Sequence, residues 1–459
     1  MDYSAANTSL WSMIIQLGII ACAVLISHLL RSKISWIRKS MMPIAVLAGF
    51  LLLILKYLGI VPIQTELMEI LVYHGIALGF IAMSLRVPEK KEAKEKDFTG
   101  LKSGAIIVSS YMVQGTAGLI ITILLGFTVM PNLFKAAGLL LPMGYGQGPG
   151  QANNVGSSYE ALGFSGGRSF GLAIAAAGYL VACIVGVIIL NVLAKKKLIN
   201  TTSQAQRELQ PTVEFFQDKE EFPVSDSIDK LSIQIALVMI VYLLTYLAAW
   251  GLTSGLAAIS AGLAATLNTL IWGFNFIIGS ALAILVRVLL QAGKKSGVFL
   301  KQYQNNYLLN RISGFFFDIM IVAGIASINL EDIHGLWVPF ILLVVVGAVL
   351  TWIHLAFVCK IVYPTYYYEG LISMYGMLTG TISSGILLLR EIDPNLQTPA
   401  ANNLVVGSSF GIILGAPVLV LVSLAARSDL MCIVTLGIAV AYYLVLLLFI
   451  CKWKRKKVG

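Results

Sequence analysis

Two stretches of this chain place glycine, proline and polar side chains between long apolar runs. The first is Leu141-Pro142-Met143-Gly144-Tyr145-Gly146-Gln147-Gly148-Pro149-Gly150-Gln151-Ala152-Asn153-Asn154. The second is Met374-Tyr375-Gly376-Met377-Leu378-Thr379-Gly380-Thr381-Ile382-Ser383-Ser384-Gly385. In the first, Gln147, Gln151, Asn153 and Asn154 offer both donors and acceptors. In the second, Thr379, Thr381, Ser383 and Ser384 offer hydroxyls. Pro142 and Pro149 interrupt helical pairing and free carbonyls. Gly146, Gly148, Gly150, Gly376 and Gly380 let the backbone turn and come close to a ligand. Neutral carbonyl and hydroxyl oxygens are what a hard cation such as sodium takes as ligands. Helix N-termini at such breaks present N–H groups to a carboxylate. The chemistry these residues offer is therefore binding.

The two stretches also correspond. An offset of 230 carries Tyr145, Gly146 and Gly150 onto Tyr375, Gly376 and Gly380, and Asn153-Asn154 onto Ser383-Ser384. Glycines four apart also suit close helix packing. Here they alternate, stand among prolines and amides, and recur at the matching position of the second half. Irregular backbone at membrane depth persists only where protein or a water-filled cavity surrounds it. Paired breaks in two halves point to a transporter's binding site. On this basis Gly146, Gln147, Gly148, Gly150, Gln151, Gly376, Thr379, Gly380, Thr381 and Asn402 are expected around a substrate. Asn153, Asn154, Ser383 and Ser384 are expected around sodium.

The elements that must hold these residues are membrane helices. The chain is 58% hydrophobic and 12% charged, with a mean hydropathy of +0.86. A soluble domain carries about twice that share of charge. Spans are expected at 11–30, 42–60, 67–86, 104–130, 168–193, 231–251, 264–289, 313–330, 336–360, 403–425 and 430–451. The segments 132–164 and 365–392 are expected as re-entrant hairpins. The net charge of +10 does not imply a nucleic-acid partner, because the basic residues are sorted by side. With the N-terminus outside, 28 of the 32 basic residues fall on the cytosolic side. Lys56, Lys135, Arg168 and Arg427 remain on the other. Counting either hairpin as a full crossing would invert every later loop.

The expected fold class is an all-α polytopic membrane protein with two inverted-topology repeats of five spans, each with a hairpin, plus one extra C-terminal helix. Five spans per half turn the second half over, so the two hairpins enter from opposite faces. The expected division is 1–197 for the first repeat and 198–230 for a cytosolic linker. Residues 231–428 form the second repeat, and 429–459 the extra helix and basic tail. Residues 1–10 lack a basic leader region, and no cleavable signal is expected. Cys22, Cys183, Cys359, Cys432 and Cys451 lie in or beside apolar runs and read as free thiols. No dinucleotide fingerprint, nucleophile elbow or His/Glu cluster is present, so enzyme activity is not expected.

The chain resembles the glutamate–sodium symporter family of bacteria. The residues that carry the resemblance are Gly144-Tyr145-Gly146-Gln147-Gly148-Pro149-Gly150-Gln151-Ala152, the Gly163-Phe164 turn, and less closely Gly376 to Ser384. Gln147 departs from the Thr or His usual in that motif, and the eleventh span is an addition. The resemblance implies a scaffold part and a mobile transport part, a homodimer in the bacterial plasma membrane, and alternating access of an elevator type. It implies sodium as coupling ion, no cofactor, and glutamate or a related amino acid or dicarboxylate as substrate. Citrate-type carboxylate–sodium symporters share the hairpin logic, and a passive channel or carrier could use the same hairpins.

Charged residues inside spans are further candidates. Asp318 either pairs with Arg311 or takes part in coupling, because an acid at that depth needs a partner or water. His74 either titrates in the transport cycle or packs through a hydrogen bond. Arg168 and Arg390, at the hairpin exits, either attract an anion or mark the interface. Asn402-Asn403 and Ser408-Ser409 are expected to face the second hairpin tip.

Overall fold

A computed structural model describes residues 4, 7–39, 42–87, 98–199, 227–259, 271–273, 275–296, 303–393 and 397–452. The linker expected at 198–230 lies almost wholly outside them, as does the start of the span expected at 264–289. All elements among the described residues are helical. They are α1 (Thr8–Lys33), α2 (Ser35–Lys39), α3 (Ile44–Tyr57), α4 (Thr65–Leu85) and α5 (Thr99–Phe127). A 3-10 turn, Lys135–Leu139, leads into α6 (Leu140–Tyr145), α7 (Pro149–Glu160) and α8 (Gly167–Lys195). Then follow α9 (Ser227–Ile259), α10 (Asn275–Lys295), α11 (Asn306–Ala326) and α12 (Trp337–Val362). The chain ends with α13 (Tyr367–Thr379), α14 (Ile382–Leu389), α15 (Ala400–Ala425) and α16 (Asp429–Lys452).

Ten of the described helices are long and apolar enough to cross a membrane, so the chain is a multi-pass membrane protein. The span expected at 42–60 is different. It is the 14-residue α3, about 21 Å long, against a hydrocarbon core of about 30 Å. Pro43 sets its start. At its end Gly59 adopts φ +68, and the Ile60 N–H reaches back to the Leu55 carbonyl, a glycine-dependent stop. The segments expected as hairpins are helix–break–helix pairs, α6–α7 and α13–α14.

The chain forms two compact units that cut across the sequence halves. One comprises Met1–Glu69, Lys96–Leu209 and Val322–Gly459, and the other Ile70–Glu95 and Gln210–Ile321. The boundaries 1–197, 198–230, 231–428 and 429–459 therefore describe chain order, while each unit draws helices from both halves. Contacts between distant segments make the units, and such contacts leave no boundary signal in composition.

The smaller unit packs α4, α9, α10 and α11 around Leu78, Ile81, Val238, Val241, Ala283 and Leu309. Asn306 clasps the chain after α4 by accepting from the Val87 N–H at 2.7 Å and donating to its carbonyl at 2.8 Å. Arg287 donates to the carbonyls of Ser84 and Arg86, both at 3.0 Å. Those carbonyls lie at a helix end that lacks further turns to pair with.

The larger unit is built around α5, whose 29 residues span about 43 Å. Toward one end, Gly118 meets Gly138 backbone to backbone, and the Thr122 hydroxyl donates to the Lys135 carbonyl at 2.6 Å. Toward the other, the Tyr363 hydroxyl donates to Ser103 at 2.7 Å, and Gly104 and Gly407 admit α15. α16, expected from the sequence as the extra helix, is tied in through His354. That imidazole is buried between Ser109 at 2.9 Å and the Tyr443 hydroxyl at 3.4 Å.

Candidate functional site

Each break follows from local sequence. α6 stops because Pro149 cannot continue it and Gly148 turns the chain. The N–H groups of Gly146 and Gln147 both donate to the Pro142 carbonyl, at 3.0 and 3.2 Å. Gly148 has φ +87 and ψ −175, a region essentially reserved for glycine. Pro149 then opens α7 at a position where its missing N–H costs nothing. α13 ends at Gly380, and Thr381 caps α14 by accepting from the Ser384 N–H at 3.4 Å. Each break thus joins a helix C-terminus to a helix N-terminus.

The two breaks reach the middle of α5 from its opposite ends. The first hairpin runs along α5 from Gly118 past Gly115, which faces Leu139 and Pro142, to Tyr111, whose ring lies against Gly146. A Cβ at Gly146 would overlap that ring. From the other side, the Leu378 carbonyl accepts from Gln114 at 2.9 Å. α8 passes between the two. A Cβ at Gly178 would stand 2.9 Å from the Tyr145 ring and run into the Thr379 carbonyl. Gly148 faces the Tyr179 hydroxyl, and Gly380 faces Ala182.

The offset of 230 does not align these breaks. The residues that precede α7 and α14, Gly148 and Thr381, differ by 233, as do the starts of α8 and α15. Positive φ falls on Gly148, whereas Gly146 and Gly380 have φ −82 and −133 and are glycines of close approach. Gly376 lies a turn before the break, where a Cβ would meet Gly385 at 2.9–3.0 Å; it lets the hairpin arms cross.

The polar side chains divide by hairpin. In the second, the Thr379 hydroxyl donates to the Tyr375 carbonyl at 2.8 Å, and Thr381 and Ser384 serve the cap. The Ser383 side chain lies outside the described residues. In the first, Gln151 is 2% exposed and Asn153 5% exposed. Their side-chain oxygens, Oε1 and Oδ1, are buried with no hydrogen-bond partner among the described residues. An orphaned buried acceptor carries its full desolvation cost, about 1–3 kcal/mol. Gly150 and Asn154 are buried beside them, and Gln147 is half-buried at the break. Asn402 is half-buried on α15. Its neighbour Asn403 donates to Tyr366 at 2.7 Å, at the start of the second hairpin and away from its tip.

Arg168 is committed to carboxylates. It bonds Glu160 through Nε at 3.1 Å and Nη2 at 2.8 Å, and Nη1 engages Glu69. This ties the end of α7 to α8 and sets two carboxylates against the one guanidinium. His74 and Asp318 belong to the smaller unit. His74 shares a 2.5 Å hydrogen bond with Tyr242, and its ring meets Tyr73 and Tyr242 edge-on. Asp318 is exposed on α11 without an ion pair among the described residues. Arg311, its expected partner, lies over the Tyr307 ring at 5.2 Å.

Tyr111, Gln114 and Tyr179 were not anticipated from the sequence. A lone glutamine within the apolar run of α5 was the available signal. A separate cavity of about 630 Å³ is lined by 131–136, 163–165, Glu331, Asp332, His334 and Asp429. It gathers loops that the basic-residue distribution puts on one side. Lys135 and Asp429 form an ion pair of 2.9 Å there. Compared with known proteins, the chain matches no family model and no curated protein.

Proposed function

We propose that this protein is a secondary active transporter coupling sodium to a small carboxylate, glutamate or a related amino acid or dicarboxylate in the first instance. The observation that carries this reading is the convergence of two opposed helix breaks on α5 and α8, with the oxygens of Gln151 and Asn153 orphaned at the first. Orphaned carboxamide oxygens suit a cation. The two helix N-termini suit a carboxylate. The side chains named around the breaks carry no formal charge. A lone ion in such a site would meet dipoles but no opposite charge, whereas a cation and an anion entering together offset one another. That physical argument favours symport.

The order of elements supports an inverted repeat, with each hairpin preceding the fifth apolar segment of its half when the short α3 is counted. Both hairpins belong to one compact unit, as an elevator-like alternating access requires. On this reading the protein lies in a bacterial plasma membrane as a homodimer, with its C-terminus cytoplasmic; an N-terminus outside requires the short α3 to act as an eleventh crossing.

Uptake of L-glutamate and of dicarboxylates into proteoliposomes tests the reading. An inward sodium gradient should drive accumulation in the presence of a protonophore. Asn153→Ala should raise the sodium concentration for half-maximal uptake about tenfold. Uptake that follows the pH gradient alone, with no response to sodium, would replace the sodium reading.

A further inference from the structure

Gln114 is fully buried in the middle of α5. Its Nε2 donates to the Thr351 hydroxyl oxygen and to the Leu378 carbonyl, both at 2.9 Å. Which end of a carboxamide points where is ordinarily an assignment. Here the partners decide it. The Leu378 carbonyl only accepts. The Thr351 hydroxyl gives its own proton to the Gly347 carbonyl at 2.7 Å, so toward Gln114 it too can only accept. Turning the amide over would set oxygen against oxygen twice. Nε2 must therefore face these two acceptors, and Oε1 must face away from them. That oxygen is buried and has no partner among the described residues.

The position matters as much as the vacancy. Leu378 stands just before the second break, where helix carbonyls lose their partners. Tyr111, three residues earlier on the same helix, lies against Gly146 at the first break. Gln114 thus stands where the two hairpins meet. A carbonyl-type oxygen repels a carboxylate and attracts a cationic group.

We infer that Gln114 Oε1 is a ligand in the transport site and takes a cationic group, either sodium or the ammonium of an amino-acid substrate. This rests on the transporter reading above and adds to it a residue outside both hairpins. The ligand role makes an unusual demand of two variants. Gln114→Leu removes the oxygen and the donors together. Gln114→Glu keeps an oxygen but loses the donors to Leu378 and Thr351. If Gln114 were only a clamp on the second hairpin, Glu would be at least as damaging as Leu, because it sets acceptors against acceptors.

Sodium titrations of uptake should be run for both variants with L-glutamate and with glutarate, its deaminated counterpart, alongside folded yield. For a sodium ligand, Gln114→Leu raises the sodium requirement about tenfold or more with both substrates. For an ammonium ligand, it raises the KM for glutamate by a similar factor and leaves glutarate within about twofold. In either case Gln114→Glu, which keeps an oxygen, loses less of that constant than Gln114→Leu does. A Leu variant unchanged in both constants, or a Glu variant that shares the Leu defect at full folded yield, overturns the inference. Should Gln114→Leu not fold, Gln114→Met, which also lacks the oxygen and the donors, takes its place in the same comparison. Wild-type protein that takes up neither substrate, with or without sodium, would overturn the transporter reading and this inference with it.

Discussion

Gly148→Ala isolates backbone conformation from space at the first break. Gly148 holds φ +87 and ψ −175, where L side chains are strained. A Cβ there would find its nearest neighbour, the Tyr179 hydroxyl, at 3.8 Å, an ordinary contact. The cost is therefore conformational and amounts to about 1–3 kcal/mol. The break can escape that strain by moving, since α6 and α7 are separate helices on either side of it. If the observed geometry is the binding-competent one, a bias of this size lowers apparent affinity about 5- to 150-fold. Gly163→Ala is the control. Gly163 has φ +99, is exposed, and has nothing within 4 Å of its Cβ position. It carries comparable backbone strain away from the break, and should lower stability without changing affinity. Sodium-dependent uptake and folded yield by size exclusion are measured on the same preparations. Wild-type affinity in Gly148→Ala, or equal affinity losses in the two variants, would refute the assignment of the break to the site.

Gly146→Ala drives a methyl into the Tyr111 ring, so it should impair uptake, and adding Tyr111→Leu should restore part of it. No recovery in the double variant would mean the ring is not the obstacle. Arg168→Lys gives up the forked contact to Glu160 and Glu69, side chains 25% and 23% exposed, and should cost about 1–3 kcal/mol of stability. Because two carboxylates already engage Arg168, substrate KM should hold; a KM rise at unchanged thermal stability would reassign Arg168 to anion capture. In a cysteine-free background, Leu162→Cys and Thr365→Cys, both exposed, should be labelled by an impermeant reagent from opposite faces. Labelling from one face would remove the inverted arrangement.

The class of this protein was legible in its residues because the bilayer imposes a one-dimensional rule. A span needs an apolar run of fixed length, and glycine with proline marks where helix cannot continue. Hence the ten long spans and both helix breaks could be read directly. The stop after Tyr57 was a local signal too, but the apolar run around it suggested a longer crossing. Tertiary structure decided which glycine does what. The sequence has Gly146 and Gly380 letting the backbone turn or come close to a ligand; packing against Tyr111 and Ala182 shows close approach to side chains, with positive φ two residues after Gly146, at Gly148. It also decided which polar atoms are spent. Thr379, Thr381 and Ser384 turn inward to their own helix ends, whereas Gln151 and Asn153 keep unused oxygens. Gln114 acquires its meaning only through Thr351 and Leu378, 237 and 264 residues away. A hydrogen bond depends on what lies within about 3 Å in space, and the order of residues along the chain does not contain that distance.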